Sequence, residues 1–146
     1  MIELREVTIE NWAKIIRLKP APEQERFVAA NSVSLAQAHF QPECRPLAVY
    51  DDDTPVGFIM YCLDPTDKEY WIFRLMIDKN HQSKGYGREA MELLLTLIRQ
   101  DPEHHCVYIS FEPENDWAKA LYTKLGFVPD GRMVDGEVVY RLDYGN

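Results

Sequence analysis

Tyr70-Trp71-Ile72-Phe73-Arg74-Leu75-Met76-Ile77 is apolar but for Arg74, and the polar stretch after it runs through two glycines into an amphipathic pattern. No other part of the chain constrains the fold as tightly. A strand this apolar is buried on both faces, which puts it near the centre of a sheet. Met91, Leu94, Leu95 and Ile98 then recur at i, i+3, i+4 and i+7, the period of a helix with one apolar face. Asp101-Pro102 stops that helix, and Cys106–Phe111 reads as the next strand. Strand, helix, strand in this order requires a parallel crossover.

Hairpins surround this unit. Ile2–Val7 alternates apolar and charged residues as a short strand does, and Thr8 can cap a helix carrying Trp12, Ile15 and Ile16 that ends before Pro20. A second helix is expected from Glu23 to Phe40, with Phe27, Val28, Val33 and Leu35 as its apolar side. Leu47–Tyr50 and Val56–Leu63 form a hairpin about the acidic turn Asp51–Pro55. Asn115 and Asp116 can cap a helix carrying Ala118, Leu121, Tyr122 and Leu125, with Gly126 as its C′ residue. Phe127–Val134 and Val138–Asp143 flank Asp135-Gly136, the strongest short hairpin signal. The order is β-α-α-β-β-β-α-β-α-β-β: an α/β (α+β) mixed sheet, expected to form a single domain over residues 1–146.

Composition removes several function classes. Sixteen lysines and arginines against 24 aspartates and glutamates leave a net charge of −8, so general nucleic-acid binding is not expected. The sign suits a cationic partner or plain solubility. No apolar run reaches the length of about 18 residues a membrane span needs, and the charged start Met1–Glu6 is no signal peptide. Cys44, Cys62 and Cys106 are scattered and make no CxxC pair, which fits a reducing cytoplasm. His39, His81, His104 and His105 lack helical metal-ligand spacing, so no metal is assigned.

The chemistry concentrates in Gln82-Ser83-Lys84-Gly85-Tyr86-Gly87-Arg88, between the buried strand and its helix. Glycines let backbone N–H groups approach an anion, and the helix N-terminus favours negative charge. A tight turn that needs glycine for steric reasons alone would look the same. Gly85 to Ala90 also fits G-x-G-x-x-A, but the dinucleotide fingerprint turns directly from strand to helix and continues in parallel units, which hairpins here preclude. The Walker pattern fails because Lys84 precedes Gly85.

Gln82-x-x-Gly85-x-Gly87 resembles the Q/R-x-x-G-x-G/A pyrophosphate loop of the Gcn5-related N-acetyltransferases. Asn115, Ala120-Leu121-Tyr122 and Leu125-Gly126-Phe127 are similar to that family's second signature, and the element order matches from Ile2 to about Asp143. Within the family, Asp64–Val128 looks most like the bacterial spermine/spermidine acetyltransferases.

The resemblance implies acetyl-CoA as co-substrate, held where two parallel strands splay. Backbone groups of Leu75, Met76 and Ile77 would bind the pantetheine arm, and one N–H would polarise the thioester carbonyl. Gln82 through Arg88 would surround the pyrophosphate, Asn115 would bond the arm, and Tyr122 would protonate the leaving thiolate. A plain helix cap and a core aromatic are the structural alternatives for the last two residues. The acceptor would be a small primary amine, with a polyamine as first expectation and an amino acid, antibiotic or peptide N-terminus as the alternative; a CoA-binding sensor without turnover is a further one.

Polyamine enzymes often carry a carboxylate on the central strand where Phe73 stands, which leaves Glu69, Asp64, Glu43 and Glu112 as candidate bases. Arg74 is expected in a structural ion pair or on an anionic substrate group. The acceptor pocket would be built from Pro20–Pro46, with Glu23, Glu25 and Glu43 able to select a cation. Tyr61, Tyr70 and Trp71 could line a methylene channel or pack in the core. Dimers are common in that family, often through the C-terminal strands, so the resemblance also allows a homodimer.

Overall fold

The computed structural model describes residues 1–145. Its strands are β1 (Ile2–Glu6), β2 (Cys44–Asp51), β3 (Thr54–Leu63), β4 (Tyr70–Ile77), β5 (Cys106–Phe111), β6 (Val128–Val134) and β7 (Glu137–Asp143). Its helices are α1 (Trp12–Ile15), α2 (Asn31–Phe40), α3 (Tyr86–Ile98) and α4 (Asp116–Lys124). The strands form one mixed sheet in the order β1-β2-β3-β4-β5-β7-β6.

Two cores hold the layers together. On one face Met91, Leu94, Leu95 and Ile98 of α3 and Ala118 and Tyr122 of α4 pack on Val49, Ile59, Ile72, Leu75 and Val107. The expected apolar stripe of α3 is thus its buried side, each fully buried aliphatic side chain contributing about 1.5–3 kcal/mol. On the opposite face Ile15 of α1 and Leu35 of α2 cover Ala48, Phe58, Met60 and Met76.

The central strand carries the feature that matters most for function. β4 pairs antiparallel with β3 along its length, but it pairs parallel with β5 only at Tyr70–Ile72 against Val107–Ile109. Beyond Ile72 the two strands part. At the same point the β3 register jumps from Tyr61↔Ile72 to Met60↔Arg74, so Phe73 is an extra, bulged residue. The bulge breaks the alternation of sides. Phe73 packs toward the α1/α2 core and Arg74 bonds to Gln37 of α2, while Leu75 resumes on the α3 side.

The N-terminal half departs from the sequence reading in two places. Asn11, not Thr8, stands at the cap position of α1; its Oδ1 accepts from the Thr8 N–H at 2.7 Å, and the Thr8 carbonyl accepts from Trp12 at 2.9 Å. The helix expected over Glu23–Phe40 is two pieces, a 3-10 helix at Pro22–Phe27 and then α2, separated by extended Val28. The break lets the buried Asn31 side chain donate to the Ile15 carbonyl at 2.9 Å, a tertiary bond that outweighs local helix propensity. Val33 consequently faces solvent, while Val28 and Leu35 pack inward.

Asp135 and Gly136 both take positive φ, as the expected two-residue turn requires. The described residues contain no helix long and apolar enough to cross a membrane.

Candidate active site

The parting of β4 and β5 opens a cleft of about 800 Å³. One wall is β4 from Trp71 to Ile77; the other is the end of β5, the start of α4 and Glu137 of β7. Pro20, Gln24, Phe27 and Gln37 close it from the α2 side. Leu75, Met76 and Ile77 are buried and pair with β3 on one edge. Their other edge has no strand partner, so its backbone polar groups face the cleft and can bond an extended ligand.

The glycine loop lies below the end of β4. The Gln82 side chain donates to the Ile77 carbonyl at 2.9 Å and to Gln24 Oε1 at 2.8 Å, tying the loop to β4 and to the 3-10 helix at Pro22–Phe27. Ser83 and Gly85 take φ of 65° and 81°. Gly85 precedes α3 and offers no side-chain cap, so the N–H groups of Tyr86, Gly87 and Arg88 find no acceptor among the described residues. Free donors at a helix start form an anion site. A Cβ on Gly87 would lie 3.3 Å from the Trp117 ring and 3.7 Å from Ile77, so this glycine brings α3 close to α4 and β4.

The loop's side chains divide. Tyr86 turns away and donates to Asp51 Oδ2 at 2.6 Å, and Arg88 pairs with Glu92 at 2.9 Å. Ser83 and Lys84 are exposed, with the Lys84 ammonium 6.0 Å from the Tyr86 ring.

Asn115 and Tyr122 both line the cleft. Asn115 Oδ1 accepts from the Ala118 N–H at 3.2 Å, so it caps α4 while bordering the opening. The Tyr122 ring is 5% exposed and packs on Phe111 and Phe127 at centroid distances of 5.5 and 5.9 Å. Its hydroxyl has no partner among the described residues. Burial pushes the phenol well above its ordinary pKa, and the negative charge of Glu137 adds to this.

Arg74 overturns the expected ion pair. It donates to the Phe73 carbonyl at 2.9 Å and to Gln37 Oε1 at 3.0 Å, both neutral, and its buried Nε is unpartnered. Burial lowers its pKa and Glu137 partly offsets the shift. The cause is the bulge, which turns Arg74 toward α2, where Gln37 rather than an acid meets it.

Of the four candidate bases, Asp64 and Glu112 line the cleft; Glu43 and Glu69 do not, nor do Glu23 and Glu25. Tyr61 and Tyr70 pack against the core, and only Trp71 of the three aromatic residues borders the opening. Ser110 and Glu137 are among the polar residues there that the sequence does not flag. Ser110 donates to Glu137 Oε1 at 2.7 Å across the β5–β7 ladder. Only that long-range pairing brings them together. No group of three or more metal-ligating side chains occurs among the described residues.

A mixed sheet that opens between its one parallel pair, above a glycine loop and a helix N-terminus, is the frame of an acyl-CoA-dependent transferase. The chain belongs to the acetyltransferase (GNAT) family, whose sequence model matches residues 7–127. It is 29% identical over 145 residues to the spermine/spermidine N(1)-acetyltransferase of Bacillus subtilis, covering 94% of this chain and 95% of that protein. Among solved structures it is similar to an aminoglycoside acetyltransferase in complex with coenzyme A (TM-score 0.81, 17% identity, 98% and 95% coverage). It is also similar to the spermidine N-acetyltransferase of Vibrio cholerae in complex with CoA and spermine (TM-score 0.74, 18% identity, 96% and 92% coverage). The chain is therefore an N-acetyltransferase with acetyl-CoA as co-substrate.

Proposed function

We propose that the protein transfers the acetyl group of acetyl-CoA to a small primary amine, a polyamine such as spermidine or spermine, by direct attack with Tyr122 as general acid. The observation that carries this is Tyr122, a buried ring that lines the opening between β4 and β5 with no hydrogen bond on its hydroxyl among the described residues. The free edge of Leu75–Ile77 suits the pantetheine arm, with one N–H on the thioester carbonyl. The donors at residues 86–88 suit the pyrophosphate, with Gln82 holding the loop and Lys84 adding charge. Asn115 serves as both cap and arm ligand. A phenol kept protonated by burial can give its proton to a thiolate as the C–S bond breaks.

A polyamine is supported by the name of the Bacillus subtilis relative and by four carboxylates on the cleft, Asp64, Glu112, Asp135 and Glu137. A second reading has one observation of its own. Arg74 borders the same cleft with no acidic partner among the described residues and an unpartnered Nε, which suits an acceptor whose amine lies near a carboxylate, as in an amino acid. A thiol-release assay with acetyl-CoA and a panel of amines decides between them. Val128, Met133 and Val134 are exposed on the edge strand β6, which supports a homodimer through the C-terminal strands; sedimentation tests it.

A further inference from the structure

We infer that Glu137 is the carboxylate that receives the acceptor's ammonium group and takes its first proton, with Ser110 holding it in place. The inference rests on the amine-transfer reading above and supplies what that reading lacks, a base. An alkylamine with a pKa near 10.4 is almost wholly protonated at neutral pH and cannot attack until it loses a proton.

Four carboxylates line the cleft, and their surroundings separate them. Asp64 Oδ1 already accepts from the Thr66 N–H at 2.8 Å and so closes its own turn. Asp135 sits exposed in the β6–β7 turn. The Glu112 carboxylate has no side-chain hydrogen bond among the described residues and stands before the loop into α4. Glu137 is half-buried at the start of β7, and Ser110 Oγ donates to its Oε1 at 2.7 Å. The ladder that pairs Ser110 with Val139 and Phe111 with Val138 fixes this geometry. Oε2 has no hydrogen-bond partner among the described residues and is left for the amine.

Position agrees with this role. Glu137 shares the cleft with Tyr122 of α4, Arg74 of β4, Ser110 of β5, Glu112 just beyond β5, and Arg132 and Asp135 of the β6–β7 hairpin. Its charge reaches both Tyr122, whose ionisation it opposes, and Arg74, whose charge it supports. It therefore lies close to both groups in the same cleft.

The step balances. The ammonium gives one proton to Glu137, which passes it to water. The neutral nitrogen forms the N–C bond as the C–S bond breaks. The sulfur takes the Tyr122 proton, and the phenolate recovers a proton from the acylated nitrogen. The products are the acetamide, the free thiol of CoA and one released proton.

The test is Glu137→Gln, which keeps an acceptor for Ser110 and removes the base. Expected at pH 7 is a fall in kcat of about 100-fold on the best amine of the panel, with CoA affinity and melting temperature unchanged. The deficit narrows at pH 9, where more of the amine is already neutral, while Tyr122→Phe stays impaired at both pH values. Activity of Glu137→Gln within threefold of the parent at pH 7 overturns the assignment. So does a deficit equal at pH 7 and pH 9, which would show a structural role. If the parent protein releases no thiol with any amine while still binding CoA, the transfer reading itself falls and this assignment with it.

Discussion

Replacing Tyr122 by Phe separates chemistry from folding, because the ring and the hydroxyl do different things. The ring packs on Phe111 and Phe127 and is 5% exposed, and Phe keeps those contacts. The hydroxyl makes no hydrogen bond among the described residues, so removing it breaks none. Stability should move by less than about 1 kcal/mol, or roughly 2–4 °C in melting temperature for a chain of this size. Loss of a general acid lowers kcat by about 10²–10⁴, equivalent to about 2.7–5.4 kcal/mol at the transition state. Coupled thiol release at saturating acetyl-CoA and amine, a thermal melt and CoA titration read the three quantities separately. A variant that keeps kcat within twofold of the parent refutes the acid assignment. A melting temperature lowered by more than about 6 °C refutes the reading of the hydroxyl as unpartnered. Tyr122→Ala, by contrast, also removes the ring and should cost about 3–5 kcal/mol of stability.

Three further outcomes follow from the geometry. Gly85→Ala meets no atom within 4 Å but must hold φ near 81°, a strain of about 1–2 kcal/mol, and CoA affinity by calorimetry should fall about tenfold; unchanged affinity would remove the loop from the site. Arg74→Met should lower the KM for spermidine roughly three- to tenfold, because a like charge leaves the cleft, with CoA affinity held; a rise in KM would favour the carboxylate-bearing acceptor. Burial raises Cys62 to about 12 and Cys106 to about 11, and Tyr70 and Tyr108 each to about 12. Groups whose folded pKa is raised contribute stability that is fully present below their unfolded values, about 8.5–10, and lost as pH rises toward the folded ones. The urea midpoint should therefore fall between pH 9 and 11, less steeply in Cys62→Val; a flat midpoint to pH 11 contradicts the burial account.

Much of this was readable before the structure, and the failures share a cause. The period of Met91, Leu94, Leu95 and Ile98 is local, and those four residues are the buried side of α3. Gln82, Gly85 and Gly87 were marked by spacing, and the loop they form has the free donors that spacing suggested. The Glu23–Phe40 helix failed because its break is stabilised by Asn31 bonding to the Ile15 carbonyl of another helix. Arg74 was misread because a bulge at Phe73, seen only in the β3–β4 register, changes the side it faces. Glu137 was overlooked because its partner Ser110 lies 27 residues away along the chain and meets it only through the β5–β7 ladder. Local periods and turn chemistry survive translation from the sequence; contacts made across the sheet do not.

The most direct measurement of the central claim is thiol release from acetyl-CoA by the purified protein with spermidine, spermine, putrescine, lysine, an aminoglycoside and an N-terminal peptide. The account predicts release with spermidine or spermine, with the N-acetylated product identified by mass and kcat lowered at least about 100-fold in Tyr122→Phe. No release with any of these amines from a protein that binds CoA tightly would contradict amine acetylation as its function.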